Sequence, residues 1–154
     1  MSSARRTLCG LYLAIAVVAL IATWRQNLAF MAESGASGVQ GFVEFWPALL
    51  VNRPTVSITV DIFLFALAAV VWMVLEARRL QVRMVWLYVL FGITIAISVT
   101  FPLFLIARER RLAALEAAAT LSATNEPAPS TGDKLGIAFF TIATFAFAAW
   151  CTLR

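Results

Sequence analysis

Two long apolar runs lie almost back to back, Thr55 to Leu75 and Met84 to Ile106, parted only by the charged turn EARRLQVR. A helix rises about 1.5 Å per residue, so roughly twenty apolar residues cross a hydrocarbon core of about 30 Å. Such runs belong in lipid. Composition agrees: 13% of the 154 residues are charged and 62% apolar, against the roughly 25% charge usual in a soluble domain. The net charge of +4 comes from arginines at the ends of apolar runs, where they mark the water boundary and meet anionic headgroups. The lipid bilayer, not nucleic acid, is the partner this basicity implies.

Taken in order, the chain predicts an all-α integral membrane bundle with four transmembrane helices and a short interfacial segment between helices 1 and 2. Helix 1 is the apolar run Leu8 to Ala22. It ends in Thr23, Trp24 and Arg25 rather than a small-x-small cleavage site, so a retained anchor is expected, not a signal peptide. From Gln26 to Pro54 the chain is mixed, and Gly35, Gly38 and Gly41 discourage a stable helix there. Phe42, Phe45 and Trp46 around Glu44 suit a segment lying at the interface. Helix 2 follows Pro54. Helix 3, Met84 to Ile106, reads as a tilted span in which Pro102, crowding the carbonyl of Ser98, predicts a kink. Helix formers in LAALEAAATLSA extend it, TNEPAPSTGD reads as a linker, and helix 4 covers Leu135 to Leu153. The expected division is a three-helix membrane core over 1–111, a linker over 112–134 and the fourth helix over 135–154.

Histidine is absent and Lys134 is the only lysine, which removes the usual ligands of haem and zinc and most proton-shuttle chemistry. Cys9 and Cys151 each stand alone and read as small apolar residues. No cofactor and no metal site is expected, and no catalytic residue can be assigned.

The polar residues inside the runs are few. Ile62 to Leu75 is fourteen residues, about 21 Å of helix, so the span must reach back past Asp61. That sets its carboxylate a turn or two below the headgroups, where a charge is costly unless paired. Arg53, Arg25, Asn52 and Ser57 are the candidate partners. At the other end of helix 2, Glu76 with Arg78, Arg79 and Arg83 reads as an interfacial ion cluster. If helices 2 and 3 both cross, Arg5, Arg6, Arg78, Arg79, Arg83 and Arg154 share one side, and Arg25, Arg53, Arg108, Arg110, Arg111 and Lys134 the other. Six against six leaves the positive-inside rule without an overall bias. Two arginines before helix 1 and one after it favour a cytoplasmic N-terminus; the balanced count is also what a dual-topology protein shows.

The stretch NRPTVSITVDIFLFALAAVVWMVLEARRLQVRMVWLYVLFGITIAISVTFPLFLIARE resembles a bacterial family of small membrane proteins known as domain of unknown function 2834. The features that match are Asn52, Ser57, Asp61, the Glu76 to Arg79 cluster, Trp86, Ser98, Pro102 and Glu109. The likeness covers roughly the first 110 residues, and helix 4 departs from the pattern. It implies a membrane fold with a shared polar framework, in the bacterial inner membrane, and supplies no activity.

Three functions compete. The reading preferred from the residues is a non-enzymatic bundle acting by association with itself, as a homo-oligomer, or with a larger membrane partner. A small ion-coupled transporter using Asp61 comes second. A membrane enzyme acting on a lipid or isoprenoid comes third; there Asp61 would have to combine with Glu44 among Trp46, Trp72 and Trp86, because Glu76 is fifteen positions away on the same helix, about 22 Å.

Overall fold

The central helix is started and stopped by local hydrogen bonding. The Asn52 side chain accepts from the Thr55 amide at 3.0 Å, while Thr55 Oγ1 accepts from the Asn52 amide at 3.3 Å. This is a capping box, with proline in the first turn where an amide hydrogen is not needed. At the far end Gln81 takes the left-handed conformation (φ 55°), the Gln81 amide donates to Arg78 and the Val82 amide to Ala77. That pairing satisfies the last carbonyls as a Schellman motif does.

The computed structural model describes residues 3–118 and 130–152, and among these the chain is all helical. The helices are α1 (Ser3–Ser34), α2 (Gly38–Ala48), α3 (Arg53–Leu80), α4 (Val85–Phe91), α5 (Ile97–Ala118) and α6 (Thr131–Thr152), with a π-helical turn at Gly92–Ala96 between α4 and α5. Among the described residues, three stretches are long and apolar enough to cross a membrane by length and composition: Ser3–Ser34, Arg53–Leu80 and Val85–Ala118.

Two sequence expectations need correction. Residues 26–34 are not mixed chain but the continuation of α1, since Leu28, Ala29, Met31 and Ala32 are acceptable helix formers and the break is confined to Gly35 and Gly38, both at positive φ. Beyond them α2 is helical, because packing overrides the low propensity of its glycines. Phe45 meets Phe30 of α1 at 6.0 Å and Trp46 meets Phe63 of α3 at 5.8 Å, both edge-on.

The second correction concerns helix 3. Tyr88 and Phe104 have ring centroids 5.7 Å apart, although sixteen residues of straight helix would separate them by about 24 Å. Arg108 reaches Glu76 at 2.7 Å, and Arg111 Nε donates to the Leu80 carbonyl at 2.9 Å. These contacts are possible only if the chain reverses at Gly92–Ala96. So α4 runs back along α3, and α5 then runs parallel to α3, with Trp72 against Phe101 and Phe104. Pro102 is buried early in α5, which continues past it, and the departure from α geometry lies upstream at the reversal. Thr94 and Thr100 donate to carbonyls four residues back, Leu90 and Ala96, on either side of it. Ser98 is exposed.

The core sits inside this hairpin: Val70, Met73, Val74 and Ala77 of α3, Val85 and Val89 of α4, and Phe104 of α5. Gly92 packs closely at the reversal, where a Cβ would lie 3.0 Å from Thr100 Oγ1 and 3.1 Å from Ile97 Cδ1, so a larger side chain would have to displace both. Gly92→Leu is expected to cost about 2 kcal/mol through overpacking, with Gly92→Ala markedly milder. Unfolding of the purified protein in detergent reads the difference, and equal stability of Gly92→Leu and wild type would contradict the close approach.

Candidate functional site

Folding α5 back along α3 gathers charge at one end of the bundle. Glu76, buried on α3, accepts from Arg79 Nε at 2.8 Å, one helical turn on, and from Arg108 Nε of α5 at 2.7 Å. Arg108 also donates to Glu109 at 2.7 Å and lies 5.7 Å from the Trp72 ring centroid. Arg5 of α1 approaches Glu109 at 3.0 Å and grips Glu116 with two hydrogen bonds, 2.8 and 2.7 Å. The result is a ladder of alternating sign, Arg79, Glu76, Arg108, Glu109, Arg5, Glu116, that ties α3, α5 and α1 together. Arg79 holds both oxygens of the buried Glu76, at 2.8 Å each, and bidentate geometry of this sort on a buried carboxylate is of the stronger kind.

A second cluster ties α6 to the same end. Asp133 is fully buried, and one of its oxygens accepts from Arg78 and from the Trp86 indole at 3.3 Å. The other accepts from the Ser130 amide at 2.8 Å and hydroxyl at 2.7 Å, and Ser130 Oγ takes the Asp133 amide at 3.2 Å, so the pair also caps α6. Burial alone would raise the Asp133 pKa, but the hydrogen bonds from Arg78, Ser130 and Trp86 outweigh it and hold the carboxyl well below its ordinary range. Trp86 stacks on Phe140 and fills the space over Gly136, where a Cβ would clash with the indole.

Chemically these clusters hold rather than react. Glu76 and Glu109 each engage two guanidinium groups, leaving no free base, and among the described residues no three histidine, cysteine or acidic side chains come together as a metal site.

The sequence-derived residues fall as follows. Glu76 pairs with Arg79 and with Arg108, not with Arg83, which is exposed; Arg78 belongs to the Asp133 cluster. Asn52 is spent on capping α3, and Arg53 and Ser57 are exposed. Asp61 is exposed on α3 and has no hydrogen-bond or ion-pair partner among the described residues, so it is not brought together with Arg53, Arg25, Asn52 or Ser57. Glu44 accepts from Gln40 at 2.8 Å. Cys9 is a free, half-buried thiol, and the Cys151 side chain lies outside the described residues.

Arg5, Arg108, Glu116 and Asp133 were not singled out as site residues. The readable signal for Asp133 was S-T-G-D at 130–133, an N-terminal capping pattern. For Arg108 the sequence pointed the wrong way, because a straight helix 3 carries it to the opposite side. The reversal overturns the six-to-six count. Arg5, Arg6, Arg78, Arg79, Arg83, Arg108, Arg110, Arg111 and Lys134 share the ionic end, and Arg25 and Arg53 lie at the other, about 30 Å away along α1 and α3.

No curated protein and no solved structure matches this chain. A family model described as a protein of unknown function, DUF2834, matches residues 11–110. That span carries α1 from Leu11, all of α2 to α4 and α5 as far as Arg110, with Arg108 and Glu109 but not Glu116, and the chain belongs to the DUF2834 family.

Proposed function

We propose that the chain is a multi-pass protein of the cell membrane that acts by association within the bilayer, with a second copy or a larger membrane partner, rather than by catalysis. The observation that carries this reading is the position of Asp61. It lies on an exposed stripe of α3 with Ile58, Phe65 and Trp72, about 22 Å from the Glu76 level along the helix. A carboxylate at that depth calls for a partner, and the chain itself does not supply one among its described residues. A neighbouring helix bearing a cation or a hydrogen-bond donor would.

In this reading α1, α3 and α6 cross the bilayer, and the α4–α5 hairpin enters and leaves by the ionic face. The nine cations there set that face toward the cytoplasm. The apolar part of α6, Leu135 to Thr152, is eighteen residues or about 27 Å, within the range of a short span, and it leaves Asp133 and Lys134 outside the bilayer with the other charges.

Photo-crosslinkers at Ile58 and Phe65 test the association in cell membranes. Discrete crosslinked species are expected from this face and not from Val18 of α1, and Asp61→Leu is expected to abolish them. Asp61→Asn, which keeps the hydrogen-bonding capacity, should retain most of them. Asp61→Leu with an unchanged crosslinking pattern would sink the proposal, and loss of function in Asp61→Asn with crosslinking intact would favour proton coupling instead.

A further inference from the structure

We infer that the cleft between α1 and α5 is a binding site for one anionic phospholipid, with an acyl chain along the cleft and the headgroup phosphate at Arg110. A cavity of about 470 Å³ opens there, lined by Gly10 and Leu13 of α1, Tyr88 of α4, and Leu103, Ile106 and Arg110 of α5, among others. Its lining is mostly apolar, and Arg110 is its one charged member. Leu103, Ile106 and Arg110 follow one another at helical spacing along α5, so the guanidinium sits at the end nearest the ion ladder, two residues from Arg108.

The opposite wall repeats the pattern in reverse. On α1, which runs antiparallel to α5, Arg6, Gly10 and Leu13 share a stripe, so Arg6 also lies at the charged end. Gly10 has open space where a side chain would stand. Arg5, Arg108 and Arg111 are engaged by the fold, but Arg6 and Arg110 are exposed and without a hydrogen-bond or ion-pair partner among the described residues. Two uncommitted guanidinium groups at the water boundary above an apolar slot match a phosphate above a hydrocarbon chain, and a guanidinium suits phosphate oxygens geometrically. A neutral zwitterionic lipid would fill the slot equally well but would bring its own cation to the arginines. The choice of an anionic headgroup follows from that difference in charge.

Native mass spectrometry of the full chain, released from detergent micelles containing phosphatidylglycerol or phosphatidylcholine, tests the site. Wild type is expected to retain one phosphatidylglycerol in preference to phosphatidylcholine. Arg110→Gln should weaken that retention about tenfold, the loss of one charge-assisted contact, and Ile106→Trp, which fills the slot, should lower retention of both lipids. Arg83→Gln removes an exposed cation from the same end but away from the cleft, and should leave retention unchanged. Equal losses from Arg83→Gln and Arg110→Gln would mean surface electrostatics without a site. Full competition by glycerol phosphate, which has no acyl chain, would mean an anion contact without the cleft. Either result overturns the proposal.

Discussion

Replacing Glu76 by leucine should destabilise the folded bundle by about 3 kcal/mol, the magnitude of removing one partner from a largely buried ion pair. Glu76 receives Arg79 and Arg108 on its two oxygens. Without it Arg79, the more exposed of the two, can turn to water, whereas Arg108 stays largely covered beside Trp72 and is left short of counter-charge. The loss should therefore be coupled chiefly to Arg108. Unfolding of wild type, Glu76→Leu, Arg108→Leu and the double variant in detergent forms a cycle, and the double variant should recover 1 kcal/mol or more, as contacting residues do. Simple additivity would mean that the two side chains do not meet. It would count equally against the reversal of the chain at Gly92–Ala96, since a straight helix holds residues 76 and 108 far apart.

Substitution of Asp133 should undock α6 while sparing the rest. Its carboxylate gathers Arg78, Trp86 and Ser130, and removing it leaves the half-buried Arg78 without its counter-charge and takes away the bonds that Ser130 makes to the first turn of α6. Asp133→Ala is expected to cost about 3 kcal/mol in docking, from the charge-assisted bond and the lost half of the capping box together. Hydrogen exchange should rise across residues 131–140 and stay slow across α3 and α5. Asp133→Asn, which keeps an acceptor, should fall between.

The same contact sets a pH dependence. The folded-state pKa of Asp133 is depressed, so its contribution is complete above the ordinary carboxyl range and is lost as the pH falls through that range toward the lower folded value. Exchange in residues 131–140 should accordingly accelerate on acidification, and Asp133→Asn should remove that acceleration. Exchange in wild type that is insensitive to acid, once corrected for the intrinsic rate, would rule out Asp133 as the anchor.

Apolar helices of spanning length and the family were legible in the residues themselves. The apolar runs around EARRLQVR have the length and composition of helices that cross a membrane. Asn52, Pro54 and the Gln81 turn bound α3 by local hydrogen bonding that no distant contact is needed to impose. Counting along the helix places Asp61 about two turns inside the start of α3, but its exposure, without Arg53, Arg25, Asn52 or Ser57 as a partner, was decided by the tertiary structure. The reversal of helix 3 was not legible. Hydropathy reports that Met84 to Ile106 prefers lipid and is silent about direction, so a helix that crosses and a hairpin that returns have the same composition. Pro102 drew attention to the wrong place, because α5 runs on past it, whereas the chain turns upstream, where Gly92 packs closely against Ile97 and Thr100. Once the chain turns, Arg108 faces Glu76 and Arg5 faces Glu109, and the tied charge count becomes one-sided. Helix formation is a local property that the sequence carries residue by residue, but which charges share an end is set by packing between segments, and only the tertiary structure decides it.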